Sequence, residues 1–355
     1  MTQRIQAAIV GTGFMGSVHA RAVMTAGGRV RLVVGSSPGR ARKLAEALPG
    51  AEPAGFEEAL ASGVDVVHLC VPNHLHHDMA RRALAAGKHV VCEKPLSVSV
   101  REAADLAGLA ARTGRVATVP FVYRFYPSVR LARSLIGAGT RRPWLLHGSY
   151  LQDWLASPDA DNWRVDAARG GASRAFGDIG IHWCDLMEFV TGQRITAVQA
   201  MLGTAHPVRA GRPSATEDGG VISFRTDGGA LGSLVVSQAS AGRRNRLWFS
   251  FDGPDASYVF DQENPEHLWV GGPDANRTLT RDPARPGGRP DALPAGHPQG
   301  YHECFADFVA DTYAAVRGET PDGLPTFDAG LRAARLTQAV LDSAASHSTW
   351  TEIPA

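Results

Sequence analysis

Short apolar runs alternate with helix-period segments through the first third of the chain. Strands are predicted over Ile5–Val10, Val30–Val34, Val64–Val71, His89–Cys92 and Val116–Val119. Between them, apolar positions recur at helical spacing over Met15–Ala26, Ala41–Leu48, His76–Ala86 and Val100–Arg112. Strands nearly free of charge, separated by helices, indicate a parallel sheet covered on both faces. Right-handed crossovers turn that order into a doubly wound Rossmann domain.

The pattern changes near Val119–Tyr123. Helices are predicted over Tyr126–Gly139 and Phe176–Val190. Strands follow over Ile195–Leu202, Gly220–Thr226, Ala230–Ser237, Leu247–Phe251, Ser257–Phe260 and His267–Val270. Asp227-Gly228-Gly229 and Asp252-Gly253 suit hairpin turns, so this sheet is expected to be largely antiparallel. Gly271–Gly300, rich in Pro, Gly and Arg, reads as a long surface loop, and helices over Gly300–Arg317 and Asp328–Ser346 close the chain. The expected class is α/β: a Rossmann domain over 1–121, then an α+β domain over 122–355 with a large open, mostly antiparallel sheet. Few long helices remain to cover that sheet's second face, which predicts a homodimer or homotetramer joined through it.

Composition narrows the function classes. The chain has 355 residues, 44% of them hydrophobic and 20% charged, enough for two well-buried cores. Lys and Arg number 36 against 35 Asp and Glu, a net charge of +1. That balance gives no electrostatic reason to expect nucleic acid or an anionic membrane as partner. No apolar run spans a bilayer, and Met1–Gln6 lacks a signal peptide's apolar core, so a cytoplasmic protein is expected. Cys70, Cys92, Cys184 and Cys304 form no CxxC pair and read as reduced thiols. His74, His76 and His77 lack a carboxylate or cysteine at ligand spacing, so no metal is expected. His68 reads as a strand residue facing a neighbour.

Gly11-Thr12-Gly13-Phe14-Met15-Gly16 is a GxGxxG placed between a strand and a helix. In that context Gly11 permits the tight turn, Gly13 lets backbone approach a pyrophosphate, and Gly16 lets helix pack on strand. The helix N-terminus then offers N–H groups to the phosphates. An NAD site usually carries an acid about 20 residues on. Here the second strand ends Val34-Gly35-Ser36-Ser37-Pro38-Gly39-Arg40, without a carboxylate. Ser36, Ser37 and Arg40 could donate to a 2′-phosphate, so NADP is the expected cofactor and NAD the alternative.

Two further segments carry reactive side chains. Lys94, in Cys92-Glu93-Lys94-Pro95, stands at the carboxyl end of a parallel strand, where open α/β sheets bind ligands. In Gly177-Asp178-Ile179-Gly180-Ile181-His182-Trp183-Cys184-Asp185, Asp178 and His182 lie four residues apart and share one face if the segment is helical. Such a group could remove a hydroxyl proton while hydride leaves the same carbon. Taken alone, Asp178 and His182 are more often a helix-stabilising pair than a catalytic one, and Lys94 is more often a surface residue.

Together these residues resemble the glucose–fructose oxidoreductase / inositol dehydrogenase / rhizopine-catabolism (Gfo/Idh/MocA) family. The resemblance rests on Gly11–Gly16, Val71-Pro72-Asn73-His74 with His76, Glu93-Lys94-Pro95, Asp178-x-Gly180-x-His182-x-x-Asp185, and Pro325-Thr326-Phe327 with Asp328-Ala329-Gly330-Leu331. It implies that Lys94, Asp178 and His182 are the catalytic group. His182 would be the general base, Lys94 would hold the reacting oxygen and the nicotinamide ribose, and Asp178 would bind a neighbouring hydroxyl. Glu93 would be a positioning residue, and the Lys94–Pro95 bond would be cis. Around the cofactor the implied residues are Gly11, Gly13, Phe14, Met15, Gly16, Cys70, Pro72, Asn73, His76, Glu93 and Lys94. Arg124, in Tyr123-Arg124-Phe125, would reach the cofactor or the substrate, and the pair Trp163-Arg164 would approach the nicotinamide end. Tyr150-Leu151-Gln152-Asp153-Trp154 resembles a segment of members acting on sugars. Tyr, Gln, Asp and Trp suit hydroxyl hydrogen bonds and stacking on C–H faces, although the segment also reads as an edge strand with partly buried aromatics. Tyr123, Gln152, Asp153, Trp154, Asp185 and Tyr301 are thus candidate substrate residues.

The expected function is hydride transfer between NAD(P) and a secondary alcohol or ketone of a sugar, anhydrosugar or inositol-like polyol. An NADPH-dependent carbonyl or dihydrodiol-type reductase is the alternative within oxidoreductases. An NAD-dependent glycosidase and a catalytically silent nucleotide-sensing regulator are alternatives of other classes.

Overall fold

The computed structural model describes residues 4–160, 162–284 and 293–354. The chain divides into two compact units, Met1–Val122 with Tyr301–Ala334, and Tyr123–Gly300 with Arg335–Ala355. The first change of unit lies between Val122 and Tyr123. Residues 301–334, however, group with the first unit, whereas the expected division placed all of 122–355 in the second.

The first unit runs β1 (Gln6–Val10), α1 (Phe14–Thr25), β2 (Arg29–Val34), α2 (Pro38–Glu46), β3 (Glu52–Ala54), α3 (Phe56–Ala61), β4 (Val66–Leu69), α4 (His76–Ala85), β5 (His89–Cys92), α5 (Val100–Thr113) and β6 (Ala117–Thr118). Its six strands are all parallel, in the order β3-β2-β1-β4-β5-β6. The order reverses between β1 and β4, where α/β sheets of this winding bind ligands. Every residue of β4 is buried, as are Ala7–Val10. Strands covered on both faces have no polar side to show, which is why they appear as apolar runs. β3 and α3 escape the apolar pattern, because β3 is a three-residue strand, Glu-Pro-Ala, paired only to β2.

The second unit carries α6 (Pro127–Ala138), β7 (Leu145–Leu151), α7 (Ala167–Gly170), α8 (Ile181–Thr191), β8 (Ile195–Gly203), β9 (Val208–Arg209), β10 (Arg212–Pro213), β11 (Gly219–Thr226), β12 (Leu231–Ser237), β13 (Arg246–Asp252), β14 (Ser257–Asp261), β15 (His267–Gly271) and β16 (Arg277–Thr280). After α9 (Tyr301–Val316) and α10 (Phe327–Ala345), β17 (Thr351–Glu352) joins the same sheet. Its order is β16-β15-β14-β13-β7-β12-β11-β8-β17, antiparallel throughout except for the parallel pair β7 and β12. β7 is a central strand, not an edge. Its Gly148 hides it from the pattern but is required there, since a Cβ would stand 2.2 Å from the Trp248 carbonyl and 2.4 Å from the Trp183 indole nitrogen. The expected loop over 271–300 contains β16, and residues 285–292 of it lie outside the described residues.

Alternation sets the two faces of this sheet. Ile222, Phe224, Leu234, Val236, Phe249 and Phe251 are buried on one side. Met201, Val221 and Val235, paired in register across β8, β11 and β12, are exposed on the other, as are Leu231 and Leu145 across β12 and β7. A buried charge cluster braces the unit: Asp218 accepts from Arg174 and from Arg209 at 2.9 Å, and from the Ala205 and His206 amides at 2.8 and 3.1 Å. In the first unit, α9 packs on α1 and inserts Tyr313, which is fully buried. Among the described residues, no helix is long and apolar enough to cross a membrane.

Candidate active site

In the first unit, the turn from β1 to α1 is built as its glycines require. Gly11 has φ +114°, and a Cβ there would lie 2.1 Å from the Cys70 carbonyl oxygen. A Cβ on Gly16 would lie 2.0 Å from the Gly11 oxygen. The corresponding position on Gly13 faces open space, so a pyrophosphate can approach the backbone there. Gly13 caps α1 without a side-chain acceptor, and no acid stands in the first helical turn to compete with phosphate. Phe14 is exposed beside the turn. These residues fit a dinucleotide. At the end of β2, Ser37 caps α2 by accepting the Arg40 amide, and Arg40 Nη1 reaches Ser36 Oγ at 3.4 Å. The three expected 2′-phosphate donors therefore stand together, all exposed or nearly so.

Lys94 follows β5 directly, and its peptide bond to Pro95 is cis. Glu93 is buried, and its Oε2 accepts the Lys94 amide at 3.2 Å. Burial alone would raise the Glu93 carboxyl, but the hydrogen bond from His19, with Lys94 and His76, holds it below its usual value. His76 is fully buried, with its ring nitrogens 2.8 Å from the Pro95 oxygen and 2.9 Å from the Val71 oxygen. It laces the loop after β4 to the Lys94–Pro95 segment, which is a positioning role for its ring. Pro72 and Asn73 lie in that same loop, Asn73 opening a 3₁₀ turn. Burial, then the charges of Glu93 and Cys92, push the Cys70 thiol well above its usual value, so it stays protonated. His77 pairs with Asp105 at 2.9 Å. Among the described residues, no group of three or more His, Cys, Asp or Glu is placed to hold a metal ion.

In the second unit, Asp178 and His182 stand at a change of helix type. Residues 176–180 form a π-helical turn that runs into α8, a feature common at functional sites. The glycine between them is forced, since a Cβ on Gly180 would lie 2.4 Å from the Phe176 ring. Glu217 fixes the start of the turn by accepting from the Ser173 hydroxyl at 2.7 Å and the Phe176 amide at 3.0 Å. Trp183 pins α8 to the sheet through its indole N–H on the Trp248 carbonyl at 2.9 Å.

Around these two residues lies a polar network. Gln238, fully buried at the end of β12, donates to Asp178 Oδ2 at 2.7 Å, while Arg164 Nε lies 3.8 Å from Oδ1. His182 meets the Tyr123 ring edge-on at 5.1 Å between centroids and the Tyr150 ring at 6.4 Å. The two tyrosine hydroxyls bond each other. Tyr150 donates to Asn245 Oδ1 at 2.8 Å, and Asn245 Nδ2 donates to the Tyr123 hydroxyl at 3.2 Å. The three bonds close a ring in which each member gives one proton and takes one. Gln152 joins it through Asn245 Oδ1 at 2.7 Å and accepts the Trp154 indole N–H at 2.8 Å. Asp153 pairs with Arg244 at 3.0 Å.

Among the sequence candidates, Tyr123, Gln152 and Trp154 thus join Asp178 and His182 in one cluster. Trp163 and Arg164 form a 3₁₀ turn, with the guanidinium over the indole at 4.5 Å. Arg124 and Asp185 bind each other bidentately, with Arg124 Nε 2.7 Å from Asp185 Oδ2. Burial keeps the Asp185 carboxyl above its usual value, with Arg124 opposing. Tyr301 opens α9 and belongs to the first unit, where its ring meets Phe305. Sequence reasoning missed Gln238 and Asn245. Gln238 directly follows β12 and Asn245 directly precedes β13, in a polar stretch that no motif marks.

Residues 5–121 match the oxidoreductase family with an NAD-binding Rossmann fold, and residues 129–259 match the GFO/IDH/MocA C-terminal domain. A levoglucosan dehydrogenase of Pseudarthrobacter phenanthrenivorans is 31% identical over 99% of both chains. The scyllo-inositol 2-dehydrogenase (NAD(+)) of Bacillus subtilis is 28% identical over 68% of this chain and 69% of its own. Among solved structures, levoglucosan dehydrogenase in complex with NADH and levoglucosan aligns with a TM-score of 0.93 and 29% identity, covering 99% of this chain and 100% of that one. An inositol dehydrogenase homologue of Azotobacter vinelandii with NADH and myo-inositol aligns with a TM-score of 0.86 and 27% identity, covering 99% and 98%. With both domains matched and the glycine turn, Glu93-Lys94-Pro95 and the Asp178–His182 segment in their places, the chain belongs to the Gfo/Idh/MocA family of oxidoreductases.

Proposed function

We propose that this protein oxidises a secondary alcohol of a cyclic sugar, anhydrosugar or inositol-like polyol, reversibly, with a nicotinamide dinucleotide. The observation that carries this reading is the polar cluster around Asp178 and His182, whose tyrosine, amide and indole groups suit a ligand with many hydroxyls. When bound, the nicotinamide supplies the hydride acceptor or donor. His182 takes the hydroxyl proton as the carbon–hydrogen bond breaks. Lys94 holds the reacting oxygen and offsets its developing negative charge. Asp178, fixed by Gln238, accepts from a neighbouring hydroxyl and orients the ring. A panel of anhydrosugars, sugars and inositols assayed with both cofactors tests the reading: one of them should reduce the cofactor in step with ketone formation. Glycoside cleavage without net cofactor reduction would instead support the glycosidase alternative.

Two finer readings accompany it. NADP is the preferred cofactor, since Ser36, Ser37 and Arg40 stand where an acid would repel a 2′-phosphate. Titration with NADPH and NADH should show NADPH binding more tightly, and Arg40→Ala should reduce that advantage while leaving NADH nearly unchanged. NADH binding tenfold tighter, about 1.4 kcal/mol, would reverse the assignment. The exposed face carrying Met201, Val221 and Val235 joins copies of the chain into a dimer or tetramer. Light scattering at micromolar concentration should give a multiple of the 37.7 kDa chain mass, and a monomer there would remove the interface.

A further inference from the structure

Behind Glu93, the first unit contains a run of buried polar groups that the reaction above does not use. Glu93 Oε1 lies 3.0 Å from His19 Nε2, His19 Nδ1 lies 3.0 Å from His68 Nδ1, and His68 Nε2 lies 3.0 Å from the Tyr313 hydroxyl. His19, His68 and Tyr313 have no exposed surface. They come from α1, β4 and α9, and His68 and Tyr313 lie 245 residues apart along the chain.

Proton counting fixes the direction of this run. Each of the three gaps needs one hydrogen. Glu93 is held below its usual value despite burial, chiefly by His19, so its carboxylate accepts and His19 Nε2 carries a proton. Burial holds His68 well below its usual value, so its ring carries a single proton. If that proton sat on Nε2, it would point at the Tyr313 oxygen and leave the tyrosine O–H without an acceptor among the described residues, at a cost typical of a buried unsatisfied donor. With the proton on Nδ1, every gap closes. Tyr313 donates to His68 Nε2, His68 Nδ1–H donates to His19 Nδ1, and His19 Nε2–H donates to Glu93.

We propose that Tyr313, His68 and His19 are positioning residues for the reaction: a one-way chain of hydrogen bonds whose last donor holds the Glu93 carboxylate that grips the Lys94 amide. This rests on the reading of Lys94 as the residue that holds the reacting oxygen. Bonds in such a chain polarise one another, so each donor strengthens the next. The charged and titratable groups facing Glu93 are His19 on α1, His76 on α4, Lys94 beside it, and Cys70 and Cys92 after β4 and in β5. His19 bonds Glu93 Oε1 directly, through Nε2 at 3.0 Å. Without it, a buried Glu93 keeps its proton to higher pH, and it becomes a weaker acceptor for the Lys94 amide in the acid range.

The test has two readouts. Long-range 1H–15N spectra of the histidine-labelled protein need no substrate, and so judge the chain apart from the reaction. The expected pattern is His68 protonated on Nδ1 alone and His19 on Nε2 alone at pH 7 to 8. A doubly protonated His19, or His68 protonated on Nε2, overturns the chain. The second readout is kinetic. His19→Leu should lower kcat at least tenfold and Tyr313→Phe by a few-fold, with cofactor Kd nearly unchanged in both. In His19→Leu the acid limb of kcat should also move to higher pH, which a purely structural role would not cause. If Tyr313→Phe and a folded His19→Leu both keep native kcat and limb, the positioning role is wrong. If His19→Leu does not fold, the spectra and Tyr313→Phe still decide it.

Discussion

Replacing His182 by alanine is expected to lower turnover roughly 10²–10⁴-fold, the usual contribution of a positioned general acid or base. Lys94→Ala should do at least as much damage, because it removes the charge that offsets the developing alkoxide where water is excluded. Neither change touches the Gly11–Gly16 turn, so neither should stop cofactor binding. In the oxidation direction, wild-type activity should fall as pH drops and the base becomes protonated, and His182→Ala should abolish that limb. Stopped-flow turnover of one accepted substrate, with cofactor binding followed by fluorescence, separates the two effects. Near-native turnover in both folded variants would remove His182 and Lys94 from the reaction.

Asp218→Ala is expected to destabilise the second unit by about 3–5 kcal/mol, the range for breaking a buried ion pair from one side. Asp218 is the shared acceptor of Arg174 and Arg209, both almost fully buried, so alanine leaves two guanidiniums without their carboxylate. Burial works against the charged carboxyl, yet Arg174, the His206 amide and Arg209 outweigh it and hold its pKa below the usual carboxylate range. The stabilisation is therefore present above the unfolded value of about 3.9 and is lost as pH falls through the lower, folded value. Urea unfolding at pH 7 should show the full loss in the variant. The difference between wild type and variant should shrink toward pH 3. A variant as stable as wild type at pH 7 would mean that the cluster contributes nothing.

The first unit was the more legible in sequence because its strands are buried on both faces and followed by helices, so β1, β2, β4 and β5 stand out as apolar runs. Its glycine turn was legible for a different reason: Gly11 and Gly16 occupy places where a Cβ would meet backbone oxygen near 2 Å, so the motif is steric necessity written as sequence. The second unit was harder. β7 carries a glycine in mid-strand and was invisible as a central strand, although Trp183 makes that glycine necessary. Asp178 and His182 were legible by spacing, but the π-helical turn beneath them depends on Glu217, some 40 residues away. Gln238 and Asn245 could not be found from local pattern, since their roles arise only when β12 and β13 bring their ends beside β7. The same holds for α9. Its helical period was plain, yet its place in the first unit follows from Tyr313 meeting His68, a contact no local signal records.

The most direct measurement of the proposed reaction follows an isotope. A substrate found in the panel would be prepared with deuterium on the carbon of the oxidised hydroxyl and turned over with the oxidised cofactor. The deuterium should appear on the reduced nicotinamide, in equal amount to the ketone formed, and turnover should slow when the carbon–hydrogen step limits it. Deuterium released to water, or retained in a product formed without reduced cofactor, would contradict hydride transfer as the function of this site.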